Sequence, residues 1–367
     1  MKKTLLIGLF AISATMNSQT LQSENFNTLS VGNIGTAING ATPGQAGWLT
    51  FSSNDGPTGS VTTSTNAGNT NYTVVQNGIS ASKGLNIEGG NGNYGSRFMW
   101  KDGLGASWGS RTSGNNIIEV EYSFFTGPTT TSRTQFGMRI YGTDNSVTPT
   151  ATRVLNGLVY TTNTRVLTGL CYLNNAGVPG LFNITLQTGG LILNENTWYT
   201  IGCSYNTTTG ETLWKTSPTG GNIGLVNTTW IPNLVPAEVD FVSSVIPPNA
   251  TSTPPVPANT LASNIIFDNY ISRASATNTL LENNNFVSNT TDFSVYPNPA
   301  NDVVNISNST SAIISNVEMT DLNGRVVKNV TLNATEGQIN ISDLSTGVYM
   351  MNVTSDQGSS IKKVVKN

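Results

Sequence analysis

Two glutamates one residue apart, in the run NIIEVEYSFF (116–125), are the first place to look for chemistry in this chain. On a β-strand, residues i and i+2 point to the same face, so Glu119 and Glu121 would stand about 7 Å apart. Carboxyl groups in that arrangement can divide the roles of nucleophile and proton donor in glycoside hydrolysis. The same spacing also describes two solvated carboxylates on an exposed strand face, and that is the expectation taken here. A second group lies in GGNGNYGSRFMWKDGLGASWGSR (89–111), where Tyr94, Arg97, Trp100, Trp108 and Arg111 are set among glycines that could bring backbone close to a ligand. Sugar rings stack on exposed Trp or Tyr, while amides, carboxylates and arginine hold their hydroxyls. Trp100 shares a strand face with Phe98, which assigns it to core packing. Trp108 stands between Ser107 and Gly109, which assigns it to a loop and makes it the leading ligand-stacking residue. Histidine is absent. This removes Ser-His-Asp and Cys-His nucleophilic catalysis and every His-ligated zinc or copper site. No cofactor is implied. The turns KDGLG (101–105) and GTDNS (142–146) offer oxygen ligands that would permit a structural calcium ion, but they lack the spaced acids of an EF-hand, and turn-forming Asp accounts for both.

The elements that must position these residues are strands. In 116–125, Ile118, Val120, Tyr122 and Phe124 alternate with Ile117, Glu119, Glu121, Ser123 and Phe125. In TQFGMRIYG, Phe136, Met138 and Ile140 share one side. RVLNGLVYTT, GLFNITLQ, TWYTIGCSYN, ETLWKTSP, EVDFVSSVI and NIIFDNYISRA continue the period-2 pattern with Gly, Asn, Thr or Pro between them, and no amphipathic helix is visible. So many short strands over some 250 residues predict an all-β antiparallel sandwich or jelly roll spanning residues 19–275. IPPNATSTPPVPANT (246–260) is too proline-rich for a central strand and reads as a long loop. Cys171 shares a face with Leu167 and Leu173, and Cys203 with Tyr199 and Ile201, so both thiols point into the core. A Cys171–Cys203 disulfide would contribute roughly 3–4 kcal/mol; two free buried thiols fit the pattern equally. Residues 276–291 read as a linker, and residues 292–367 as a second, small β-sandwich with an Asn323-Gly324 hairpin turn.

Composition narrows the setting. Only 10% of residues are charged and the net charge is −3, so there is no basic face to neutralise nucleic-acid phosphates. Lys2 and Lys3, followed by the apolar run Leu5–Ala14 and small polar residues, read as a signal peptide over 1–18 that takes the mature chain out of the cytoplasm. No later segment approaches the ~20 apolar residues of a membrane-spanning helix.

The tail carries a resemblance. YPNPANDVVNI (296–306), VEMTDLNGRVV (317–327), INISDLSTGVYMMNV (339–353) and SIKKVVK (360–366) are similar, in order and spacing, to the four blocks of the type IX secretion C-terminal sorting domain. The resemblance implies an Ig-like or fibronectin-like sandwich whose signal includes Tyr296, Pro297, Asn298, Pro299, Gly324, Gly347, Tyr349, Lys362 and Lys363. Gly324 and Gly347 are expected at tight turns with positive φ. It also implies a Gram-negative source, passage through the periplasm to the outside of the cell, and the type IX machinery and a sortase-like protease as partners, with release or attachment to lipopolysaccharide. The large domain resembles concanavalin A-like and laminin-G-like jelly rolls through ENTWYTIGCSYNTTTGET (195–212) and NIIFDNYISRA, where Asp268 stands at an acidic position of the closing strand. Laminarinase-like members carry Glu-x-Asp-x-x-Glu on a strand like Ile117–Phe125. Here the third position is Phe124, so the proton donor is missing, and jelly-roll lyases that pair His with Tyr are excluded by composition. Glycan binding or adhesion therefore leads, ahead of a polysaccharide hydrolase and of a purely structural surface protein.

Overall fold

A computed structural model describes residues 18–56, 63–79, 82–217, 222–224, 230–281, 293–308, 313–321, 325–355 and 358–367. The signal peptide up to residue 17, the linker from residue 282 and the Asn323-Gly324 turn lie outside the described residues.

Two antiparallel sheets form the large sandwich. The nine-stranded sheet runs, in spatial order, Asn222–Gly224, Thr212–Ser217, Trp198–Asn206, Ile117–Phe125, Asn264–Ser275, Gly84–Glu88, Tyr72–Val75 and Gly32–Asn33, with Gln19–Glu24 also paired to Asn264–Ser275. The eight-stranded sheet runs Val178–Thr185, Val166–Asn175, Ala151–Thr161, Thr134–Asp144, Val235–Val245, Ser96–Lys101 and Trp48–Ser53, with Leu191–Ile192 paired to Val166–Asn175. A bulge between Asp268 and Ile271 lets Asn264–Ser275 pair first with Gly84–Glu88 and then with Gln19–Glu24. The fold class expected from the alternation is the one observed, with one local exception. Leu104–Gly109 is a helix, not a loop, because Leu104 and Trp108 lie one turn apart and both are buried in the core.

The inner faces meet in an aromatic seam. Trp48 lies 5.8 Å from Phe241 and 6.1 Å from Tyr270, Phe241 lies 5.1 Å from Phe267, Phe267 lies 5.9 Å from Tyr122, and Phe124 lies 5.4 Å from Tyr160, measured between ring centroids. Several of these contacts are edge-on, the geometry that ring quadrupoles favour. Cys171 and Cys203 sit in the same core as free thiols, so of the two arrangements the alternation allowed, the unbonded one is observed. Burial pushes the Cys171 thiol up to about 12, and Cys203 higher still.

The chain does not leave the sandwich at Ser275. Residues 276–281 fold back as a strap over the outer face of the nine-stranded sheet, with Leu280 fully buried. The Nζ of Lys215 donates to the Leu280 carbonyl at 2.7 Å, and Asn278 Nδ2 donates to Ser204 Oγ at 2.5 Å. Under the strap lie Glu119 and Glu121.

The tail forms its own small sandwich. Phe293–Tyr296, Val303–Asn308 and Gly337–Asn340 make one sheet; Val326–Ala334, Ile314–Asp321, Gly347–Ser355 and Gly358–Lys366 make the other. Phe293, Val304, Ile306, Val317, Met319, Ile339, Met351, Val353 and Val364 fill a core separate from that of the large sandwich. Gly347 departs from expectation. It opens the Gly347–Ser355 strand in extended pairing with Lys366 and has no left-handed φ.

The strap makes a testable difference to stability. A fragment ending at Ser275 should be less stable than one ending at Leu281 by about 2–5 kcal/mol, because it loses charge-assisted hydrogen bonds to two carboxylates. Urea unfolding of the two fragments measures this.

Candidate functional site

Glu119 and Glu121 are neither solvated nor open to a substrate, which corrects the exposed-face expectation. Glu119 is 0% exposed and Glu121 2%. The Arg273 guanidinium bridges them, its Nε 3.5 Å from Glu119 and its Nη2 bonded to Glu121. Ser275 Oγ and Thr279 Oγ1 donate to Glu119 at 2.9 and 2.8 Å, the Thr279 amide donates to its other oxygen, and the Leu281 amide donates to Glu121 at 2.8 Å. Burial raises the Glu121 pKa and the charge of Arg273 opposes it. This is a closed structural ion cluster.

The aromatic and arginine group does not assemble on one surface. Trp108, expected in a loop, is 3% exposed and anchors the Leu104–Gly109 helix in the core. Arg111 packs over its ring at 4.1 Å and is spent on the carbonyls of Asn115 and Trp108. Arg97 is fully buried, with its guanidinium on the Ser53 and Ser96 carbonyls and the Asn66 side chain, and burial lowers its pKa. Gly56 packs against the Tyr94 ring. Trp100 departs from its core assignment in the opposite direction. Met99 faces the core, so Trp100 and Phe98 face outward, half-buried on the outer side of the eight-stranded sheet.

That outer face holds a polar constellation. Pairing places Trp100 beside Asp240, Asp240 beside Arg139 and Arg139 beside Gly157 across four adjacent strands. Glu238 and Tyr141 pair with each other one step along the same face, and Gln135 lies on the other side of Arg139. Phe51 and Phe98, with ring centroids 6.2 Å apart, extend the aromatic end. Two glycines shape the face. A Cβ on Gly157 would come within 2.6 Å of the Met138 carbonyl and 3.5 Å of the Arg139 side chain, so bare backbone is needed there. Gly40, at φ +71°, carries its loop against the Trp100 ring, where a Cβ would stand 2.6 Å from Cη2.

The electrostatics of the face are unbalanced. Asp240 is 5% exposed, and its Oδ1 has no hydrogen-bond partner; neither has Arg139 Nε. Arg139 Nη1 donates to the Tyr141 hydroxyl at 3.4 Å. Burial pushes the Asp240 carboxyl up to about 9; Glu238 adds to the rise by charge and hydrogen bonding, and Arg139 opposes it. Glu238 and Tyr141 are raised as well, each chiefly by burial. None of Arg139, Tyr141, Glu238 or Asp240 had been singled out from sequence. The signal was present in part, since placing Phe136, Met138 and Ile140 inward places Gln135, Arg139 and Tyr141 outward.

Of the two turns considered for calcium, the second has its carboxylate engaged and the first one backbone carbonyl. Asp144 accepts from Ser146 N and Oγ at 3.0 and 2.5 Å and pairs with Arg153 at 3.3 Å, and the Asp102 carbonyl accepts from Gln22. Among the described residues no group of three or more acidic or cysteine side chains is placed to hold a metal, and no helix is long and apolar enough to cross a membrane.

The Asp240 shift has a defined sign. Its folded value lies above the ordinary one, so the stability it contributes is complete below about pH 4 and is lost as pH rises toward 9, at up to about 1.4 kcal/mol per pH unit. Asp240→Asn removes the titrating group, so its melting temperature should fall less than the wild type's between about pH 5 and 9. Parallel melting curves for the two proteins across that range would contradict the shift.

Residues 294–367 match the family model described as a secretion system C-terminal sorting domain. Comparison with curated proteins finds no match. Among solved structures, the marine PL-14 alginate lyase from Aplysia kurodai is similar at 12% identity and a TM-score of 0.37, over 56% of this chain and 88% of its own. Alginate lyase vAL-1 from Chlorella virus is similar at 12% identity and 0.37, over 67% and 99%. The endo-beta-1,4-glucuronan lyase from the fungus Trichoderma reesei is similar at 8% identity and 0.38, over 56% and 87%. The tail, with its own core and its four sequence blocks, is a type IX secretion C-terminal sorting domain, and the protein that bears it is secreted to the cell surface or exterior.

Proposed function

We propose that the secreted sandwich binds a polysaccharide laid across the outer face of its eight-stranded sheet, and so acts in glycan recognition or adhesion outside the cell. The observation that carries this reading is the row Trp100–Asp240–Arg139–Gly157, continuous over four neighbouring strands. An aromatic plane at one end offers stacking, and at the other the Arg139 side chain lies across the Gly157 backbone. Between them stand a carboxyl oxygen and a guanidinium nitrogen that lack protein partners. Buried polar atoms without partners are costly, and these two lie just beneath the face on which the ligand would rest. With strands about 4.8 Å apart, the face from Trp48–Ser53 to Ala151–Thr161 spans about 19 Å, enough for several sugar rings.

The hydrolase reading has less support. Glu119 and Glu121 are sealed beneath the strap, and among the described residues no third acid stands beside them. Processing by a sortase-like protease and attachment to lipopolysaccharide remain part of the proposal through the sorting domain.

A glycan array followed by affinity electrophoresis tests the reading. Trp100→Ala and Arg139→Ala should each weaken retention about tenfold or more, a loss of ~1.4 kcal/mol or more, with melting temperatures near wild type. Trp108→Ala should instead lower stability by about 3–5 kcal/mol, as expected for emptying a buried Trp site. Retention on no polysaccharide, or equal retention by wild type and both face variants, would remove the proposal.

A further inference from the structure

The two ends of the sorting domain meet. Asn298, in the exposed Tyr296–Pro299 turn, sits at the open edge of the last strand, Gly358–Lys366, and pairs with it as a neighbouring strand would. Its Nδ2 donates to the Lys363 carbonyl at 2.7 Å, and its Oδ1 accepts from the Val365 amide at 2.9 Å. Two backbone bonds continue the contact, Ala300 N to Val365 O at 2.8 Å and Asn367 N to Ala300 O at 2.9 Å. On the outward side of the four-stranded sheet, pairing sets Val326 beside Thr320, Thr320 beside Met350 and Met350 beside Lys363. Their neighbours Met319 and Met351 point into the core. Val326 is 50% exposed, Met350 37% and Tyr296 51%, large values for apolar or aromatic side chains in so small a domain. The turn lies beside the basic end of this row, and four strands plus the turn span about 19 Å at ordinary strand spacing.

We propose that the export machinery reads the sorting domain on this single band, Val326–Thr320–Met350–Lys363 plus the Tyr296 turn, and that Asn298 is the positioning residue that clasps the turn to the strand. The partner is a protein surface with an apolar strip facing Val326 and Met350 and acidic side chains facing Lys363. The band uses Val326, Thr320 and Met350, none of which belongs to the residues singled out from the blocks. An edge covered by Asn298 and Ala300 keeps the last strand from pairing with another chain while leaving its side chains open. The proposal rests on the sorting assignment and is independent of glycan binding.

The test uses the full chain in a host with a working type IX system. Deleting residues 292–367 should leave the sandwich in the periplasm; normal export of that truncation would overturn the sorting assignment itself. Met350→Ser, Val326→Ser and Lys363→Glu change exposed side chains only, and each should reduce the exported fraction several-fold while the purified full-length protein keeps wild-type resistance of its tail to limited proteolysis. Asn298→Ala should reduce export likewise. If Asn298→Ala also loosens the tail, the three surface variants decide alone. Wild-type export of all three, with the truncation retained, would overturn this proposal and leave the sorting assignment standing. The proposal falls equally if the variants abolish self-association of the purified protein but export normally, since the band would then serve a second copy of the chain.

Discussion

Met99, Phe241 and Met138 lie side by side across three strands of the eight-stranded sheet, packed against the aromatic seam of the opposite sheet. Burying side chains of this size contributes roughly 1.5–3 kcal/mol each, and strand alternation then leaves no freedom on the other side of the sheet. Once these three face inward, the next residue on each strand, Trp100, Asp240 and Arg139, must face outward. A slip of one residue in any strand would turn a methionine or phenylalanine to water and a charge or an indole into the core. The candidate binding row is thus the other half of the core pattern, held as firmly as the core itself.

The chain contains two carboxylate pairs at i, i+2 spacing on strands, and they meet different fates. Glu119 and Glu121 receive Arg273, Ser275, Thr279 and the Leu281 amide, and both are sealed beneath the strap. Withdrawing two carboxylates from water is expensive, and only this dense set of charge-assisted bonds offsets it. Asp240 is almost as deeply buried but receives no such set of donors; one of its oxygens lacks any partner and its carboxyl holds a proton to high pH. The closed pair ties the end of the sandwich down before the linker. The second pair leaves bonding capacity unspent beneath the outer face. Identical spacing yields a staple in one place and a carboxyl with an unpartnered oxygen in the other.

The tail obeys the same logic at smaller scale. Its core has no residue in common with that of the large sandwich, so the export signal takes its shape from contacts within its own length. That arrangement suits a label that accompanies a cargo fold without depending on it. Joining the first turn to the last strand makes features from opposite ends of the domain into neighbours.

Local pattern alone determined several things. Period-2 alternation sufficed for the all-β class, because it states a two-faced strand whatever the partner. The absence of histidine excluded whole classes of chemistry, and the four tail blocks identified the sorting domain. Alternation also determined that Arg139 opposes Met138. Tertiary structure decided the rest, because a strand's alternation names two faces but not what will cover them. The strap that buries Glu119 comes from 160 residues away in sequence, the helix that buries Trp108 exists because its far side meets the core, and Trp100, Asp240 and Arg139 become neighbours only when three distant strands take their register. Side chains that look alike in sequence were sorted into staple, core and surface by neighbours the local pattern does not contain.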